Sequence, residues 1–263
     1  MDLITITGYF LALWVGISLG LVGSGGSILT VPILVYVLGL DAITATGYSL
    51  FVVGSTALVG AVRNAMQHHV HFGMVVRFGV PSMITAYLVR AFLIPAVPDT
   101  LVTIGSFTLT KAVAMMVLFA SVMWAAAVKM LRPISPEETK QRAVQKLIAS
   151  GIATGLLAGA VGAGGGFLII PALVFLAGLG MKKAVGTSLF IVAIQSLAGF
   201  LGGAPGKSTD WAFLLPFTAA AIVGIIIGTY ASRKIDGAKL KKGFAYFILV
   251  MAAYILIQEL GIR

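Results

Sequence analysis

Two clusters of glycine interrupt long apolar segments of this chain: Gly23-Ser-Gly-Gly-Ser27 and, 139 residues later, Gly162-Ala-Gly-Gly-Gly166. Glycine weakens a helix interior by about 1 kcal/mol per residue relative to alanine, so each cluster breaks the helix in which it sits. The surroundings then restrict what the break can be. Hydrophobic residues make up 59% of the chain and charged residues 10%, where a soluble domain carries about 25% charged residues. Apolar runs recur from end to end, and the reading is an all-α polytopic membrane protein. In lipid, an interrupted backbone is tolerated only where protein buries it or where it lines a cavity. Two matched breaks point to one central site built twice.

The match extends well beyond the clusters. With the chain shifted by 139, residues 16–60 align without a gap on 155–199, and twenty of forty-five positions are identical. Eight of these are glycines, and Pro32 pairs with Pro171. Chance likeness between apolar segments would match Leu, Val and Ala, not glycines and a proline in register. The chain reads as a tandem duplication: a first repeat over 1–131, a polar linker over 132–145 and a second repeat over 146–263. The absence of a basic stretch before the first apolar segment makes that segment a permanent part of the fold, not a cleaved signal.

Apolar segments fall at 5–38, 42–62, 73–95, 105–130, 146–177, 182–201, 211–232 and 243–260. Six have the length of one span, about 17–25 residues; the two with glycine clusters are longer. Charge decides how the long ones run, because cytoplasmic loops carry an excess of Lys and Arg. If both cross the membrane, the basic residues divide nine against nine. If both are re-entrant hairpins, fourteen of eighteen fall on one side, including Arg63, Lys129, Lys182 and Lys242, and four on the other: Arg90, Lys111, Lys207 and Arg263. The second arrangement is expected, with six full spans and two glycine-broken hairpins. Three crossings per half then invert the second repeat, place the linker in the cytoplasm and put both termini outside it. Arms of about 12–16 residues reach roughly 18–24 Å, enough for two tips entering from opposite faces to meet near the midplane.

The tips have a chemistry of their own. The arm after each break starts a helix, whose first N–H groups have no intrahelical partner and whose dipole end is positive. Glycine lets a ligand approach that backbone, and such an end attracts anions. The candidates are Ser24, Gly25, Gly26 and Ser27 on the first tip and Gly164, Gly165 and Gly166 on the second. The alternative is that these glycines only allow close helix packing, as Gly16-x-x-x-Gly20 and Gly155-x-x-x-Gly159 do. A second doubled motif, Gly47-Tyr-Ser-Leu-Phe51 and Gly186-Thr-Ser-Leu-Phe190, adds Tyr48, Ser49, Thr187 and Ser188, with Gln195 further along. Their hydroxyls either meet a ligand or bond back to their own helix. Arg90 is a basic group near a span interior; it either guides an anion or extends to the headgroups.

Several functions are excluded or disfavoured. The chain has no cysteine, so disulfides, thiol catalysis and iron–sulfur clusters are out. No Asp or Glu lies deep in an apolar segment, which argues against a carboxylate proton relay or cation site and against an enzyme with a buried acid–base pair. The net charge of +10 marks loops facing anionic lipid, not nucleic-acid binding. His68, His69 and His71 have neither cysteine nor carboxylate beside them and read as an interfacial loop. No metal or cofactor is expected.

The doubled pattern at 20–32 and 159–171, Gly-Leu-Val-Gly-Ser-Gly-Gly-Ser-Ile-Leu-Thr-Val-Pro and Gly-Ala-Val-Gly-Ala-Gly-Gly-Gly-Phe-Leu-Ile-Ile-Pro, resembles the TauE/SafE sulfite exporter family, as do the Gly-x-Ser-Leu-Phe stretches. The resemblance covers essentially the whole chain. It implies a multi-pass transporter of the inner membrane for small sulfur-containing anions such as sulfite, thiosulfate or organosulfonates. Two departures stand out. The first tip carries Ser24 and Ser27 where the family favours a glycine triplet, and the span over 79–95 lacks the close glycine pair that Gly224 and Gly228 supply in its counterpart and carries Arg90 instead. The resulting expectation is a secondary transporter, exporting its anion by alternating access around the two tips; a passive anion channel on the same scaffold is the alternative. Its partners are a small anion and membrane lipid, with association as a homo-oligomer left open.

Overall fold

Lipid leaves backbone polar groups no partner outside the chain, so apolar segments close their hydrogen bonds internally as helices. The computed structural model describes residues 3–98, 100–104, 107–131, 144–162, 166–203, 209–232, 235 and 237–259. The chain is an all-α polytopic membrane protein. Its helices are α1 (Leu3–Val22), α2 (30–37), α3 (Ala42–Met66), α4 (Phe72–Ala96), α5 (Lys111–Leu131), α6 (Val144–Val161), α7 (Gly166–Phe175), α8 (Met181–Gly202), α9 (Trp211–Ser232) and α10 (Gly237–Glu259). A tight 3₁₀ turn, Gly23–Leu29, joins α1 to α2. Among the described residues, α3, α4, α8, α9 and the stretch Lys111–Val128 of α5 are long and apolar enough to cross a membrane. The arms beside the glycine clusters and the apolar part of α10, Ala245–Gln258, are shorter.

One segment departs from a purely helical chain. Thr100–Ile104 (β1) and Phe107–Thr110 (β2) pair antiparallel. The expected span over 105–130 therefore starts only at Lys111. The physical reason is visible in Thr-Leu-Val-Thr-Ile and Phe-Thr-Leu-Thr: β-branched and aromatic residues favour strands.

The first glycine segment doubles back. A Cβ on Gly8 would lie 3.0 Å from Leu38 Cδ2, so the chain that descends from Gly8 to Gly23 has returned by Leu38. Both returning arms end alike. Gly39 and Gly178 take positive φ, +68° and +65°, and the next residues close the end through Leu40 N–H to Leu34 O (3.0 Å) and Leu179 N–H to Leu173 O (3.1 Å), a glycine-terminated helix end. Asp41 then caps α3, its Oδ2 accepting from the N–H groups of Ile43 and Thr44 at 3.1 Å each.

Packing between the halves is reciprocal at the offset of 139. Helix α1 lies on α9, and α6, its counterpart, lies on α4, the counterpart of α9. A Cβ on Gly20 would sit 2.5 Å from Ile225 O, and one on Gly159 would sit 2.7 Å from Ala86 O; both members of each pair differ by 139. Glycine is needed on α1 and α6 because backbone, not side chain, fills the facing surface. Between α3 and α8, Gly199 lies against Leu50 and Gly186 against Asn64, so these two counterparts run antiparallel. Their buried faces, with Leu19, Phe78, Ile191 and Phe217, form one core; Met116, Phe119 and Met123 of α5 with Ile248, Ala252 and Ile255 of α10 belong to a second.

Helix α4 is not regular. It contains two wide π turns, Val75–Gly79 and Val89–Leu93, each ending two residues before a proline, Pro81 or Pro95. Proline removes a helix donor and crowds the carbonyl four residues back, and a local widening relieves that crowding. The second wide turn carries Arg90. Of the expected linker over 132–145, residues 132–143 lie outside the described residues.

Candidate functional site

Gly23 and Gly162 both have φ of +73°, a left-handed conformation that glycine adopts without steric cost. Each turns its chain toward the other half. A Cβ on Gly162 would meet the backbone of Thr46, 2.5 Å from its O and 2.6 Å from its Cα. A Cβ on Gly23 would lie 3.0 Å from Ser188 Oγ and 3.0 Å from Val185 Cγ1. Thr46 and Val185 are themselves counterparts. The second tip thus abuts the start of α3, and the first tip abuts the start of α8.

Arg90 joins this arrangement from α4. Only 5% of it is exposed. Its Nη2 donates to Thr46 Oγ1 at 2.9 Å and to Ile43 O at 3.1 Å, and Thr46 Oγ1 donates to Ile43 O at 2.7 Å. Gly47 and Gly203 leave it room: a Cβ on either would fall 3.3 Å from the arginine side chain. Its Nη1 is buried without a hydrogen-bond partner. A guanidinium has five N–H donors, and burying one unpaired beside a charge costs about 1–3 kcal/mol or more. Arg90 therefore does not extend to the headgroups. It lies one residue contact from Gly162, with donor capacity unused.

The other candidates divide. Ser49 Oγ is fully buried and unpartnered, as are the hydroxyls of Thr30, Thr56 and Ser196. Ser27 is buried at the first tip. Ser188 Oγ donates to Val185 O at 2.8 Å, the back-bonding alternative. Gln195 Oε1 accepts from Ser82 Oγ. Tyr48 and Thr187 bind loops: Tyr48 OH accepts the N–H of Asp210 at 2.7 Å, and Thr187 Oγ1 accepts the N–H of His71 at 2.9 Å. These two contacts are again related by 139. For Ser24, Gly25 and Gly26 only the backbone turn is described; Gly164 and Gly165 lie outside the described residues, and Gly166 opens α7. Sequence reasoning missed Thr46 and Gly203, which complete the surroundings of Arg90. The signal for Thr46 was its hydroxyl directly before the doubled Gly47 motif.

Aromatic rings pack on α3 and α8 in pairs related by the offset of 139, Phe51 with Trp211 and Phe190 with Phe72, the latter at 5.6 Å between centroids. Phe51 packs on Phe200 at 5.1 Å and on Trp211 at 5.4 Å between centroids, and Tyr48 stacks on Phe213 at 6.3 Å. Lys111 serves structure: its Nζ donates to the carbonyls of Ile94 (3.3 Å) and Val97 (3.0 Å) at the end of α4, where a cation complements the helix dipole. Among the described residues, no three His, Cys, Asp or Glu side chains come together as a metal group.

The model of the sulfite exporter TauE/SafE family matches residues 9–255. The chain belongs to the TauE/SafE family. This TauE/SafE protein is 30% identical over 251 residues to a protein of Xylella fastidiosa strain 9a5c named "Probable membrane transporter protein", covering 92% of this chain and 91% of that one. The similarly named YjnA of Bacillus subtilis is 28% identical over 247 residues, 91% and 95% of the two chains. MJ0441 of Methanocaldococcus jannaschii is 36% identical over 114 residues, 41% and 43% of the two. No solved structure matches. Membership places this multi-pass chain among membrane transporters, not enzymes.

Proposed function

We propose that this protein is a secondary transporter that exports a small sulfur oxyanion, such as sulfite, thiosulfate or an organosulfonate, across the inner membrane. The observation that carries the reading is Arg90, a buried guanidinium with an unpartnered Nη1 beside the second glycine tip. An intramembrane cation that faces the bundle interior marks a substrate path. The anion sits between the tips. Backbone N–H groups of 24–27 and 164–167 hold its oxygens, Arg90 supplies the fixed charge, and Ser49, Ser188 and Gln195 line the site. Tyr48 and Thr187 border it through the loops they hold.

Reciprocal contacts at the offset of 139 and the antiparallel course of α3 and α8 support two inverted repeats, 1–131 and 146–263, joined by a cytoplasmic linker. The doubled, antiparallel arrangement suits alternating access, in which rocking of the halves opens one end as it closes the other. Both termini then lie outside the cytoplasm. The test is flux of sulfite, thiosulfate, sulfoacetate, taurine and sulfate in proteoliposomes, with and without a proton gradient. Saturable flux with counterflow for a sulfur anion is expected. Single-channel current without counterflow would replace the transporter with a passive channel, and no flux of any of these anions would overturn the reading.

A further inference from the structure

The surroundings of Arg90 have a counterpart in the other half that is not filled. Shifting by 139 takes Ile43 to Lys182, Thr46 to Val185 and Arg90 to Thr229; the reverse shift takes Gly203 to Asn64 and Gly162 to Gly23. Lys182, Val185, Thr229 and Asn64 all line one cleft of about 80 Å³, partly open to solvent, with Gln67 and His69 also on its wall. Val185 touches Gly23, so the cleft ends at the first glycine tip. Asn64 and Gln67 stand at the end of α3, away from Thr46 near its start.

In the Arg90 half, the arginine side chain occupies this space and bonds to Ile43 and Thr46. In the other half the position belongs to threonine, too short to fill it. Thr229 is 4% exposed and its Oγ1 is buried with no partner, a state that costs about 1–3 kcal/mol unless something bonds to it. The cation has moved to the wall: Lys182 stands where Ile43 stands in the filled copy. Gln67 and His69 add donors, while Asn64 spends an N–H on Gly60 O at 2.9 Å. Among the described residues no carboxylate lines the cleft. We propose that the cleft is a second oxyanion site, separate from the one beside Arg90, in which an anion bridges Lys182 and Thr229.

Two sources share this chemistry, a soluble sulfur oxyanion and a lipid phosphate. The experiment is equilibrium binding of [³⁵S]thiosulfate to the full chain in phosphatidylcholine nanodiscs. Thr229→Arg, which copies the filled half, is expected to remove one class of sites, and Lys182→Gln to weaken the same class by about tenfold or more. Should Thr229→Arg fail to fold, Lys182→Gln, at an exposed position, carries the test alone. Wild-type stoichiometry and affinity in the folded cleft variants would overturn the proposal; if Arg90→Gln alone then abolishes binding, the tip site survives without the cleft. Loss in the cleft variants with wild-type binding in Arg90→Gln would support the cleft and remove Arg90 from the transport site. Repetition in phosphatidylglycerol nanodiscs separates the sources. Binding that persists assigns the cleft to the soluble anion, and displacement by the lipid assigns the same oxyanion site to a headgroup.

Discussion

Gly23 and Gly162 share one conformation but face different neighbours, so the same substitution should cost different amounts. Alanine at φ of +73° suffers about 1–2 kcal/mol from its Cβ, partly offset by about 0.4–1 kcal/mol from a stiffer unfolded chain. At Gly23 the new methyl meets Ser188 Oγ and Val185 Cγ1 at 3.0 Å and Val185 Cα at 3.2 Å, contacts that a shift of a few tenths of an ångström relieves, and the total stays at about 1 kcal/mol. At Gly162 it lands 2.5 Å from Thr46 O. That carbonyl belongs to a backbone pinned by Asp41 on one side and held to Arg90 through the Thr46 hydroxyl. Overpacking against an unyielding neighbour adds about 1–3 kcal/mol, so Gly162→Ala should be worse by about 2 kcal/mol. At about 2–4 °C per kcal/mol, its Tm should fall about 4–8 °C below that of Gly23→Ala. Tryptophan fluorescence of the detergent-purified variants during heating reads this difference. Equal shifts, or a larger loss for Gly23→Ala, would refute the argument from contacts.

Asp41→Ala removes the acceptor for two N–H groups at the start of α3 and should lower stability by about 1 kcal/mol, with Asp41→Asn retaining most of it; thermal unfolding compares the two. Because the chain has no cysteine, single cysteines report topology without background. Lys207→Cys should react with an impermeant maleimide in intact spheroplasts and Ser135→Cys only after lysis; reaction of both from one side would contradict the inverted arrangement.

The break points were legible because the effect of glycine on a helix is local, and Gly23 and Gly162 adopt the left-handed turn that such clusters allow. The offset of 139 was legible as well, and it recurs in contacts that no alignment contains, such as Gly20 with Ile225 and Gly159 with Ala86. What a side chain meets across the bundle was not legible. Arg90 stood out as a cation in an apolar segment, yet its partners Thr46 and Ile43 lie on another helix. The hydroxyls of Tyr48 and Thr187 suited a ligand equally well in sequence; only the fold brings the N–H groups of Asp210 and His71 to them. The pairing of Thr100–Ile104 with Phe107–Thr110 was obscured because an apolar window scores strand and helix alike.

Arg90 is the charge proposed to hold the transported anion. The most direct measurement is [³⁵S]sulfite flux in proteoliposomes for wild type and Arg90→Gln at matched protein density, with unfolding temperature recorded for both. Arg90→Gln should lower flux by about tenfold or more, the equivalent of one lost charge-assisted hydrogen bond, while the protein stays folded. Folded Arg90→Gln that moves sulfite at the wild-type rate would contradict it.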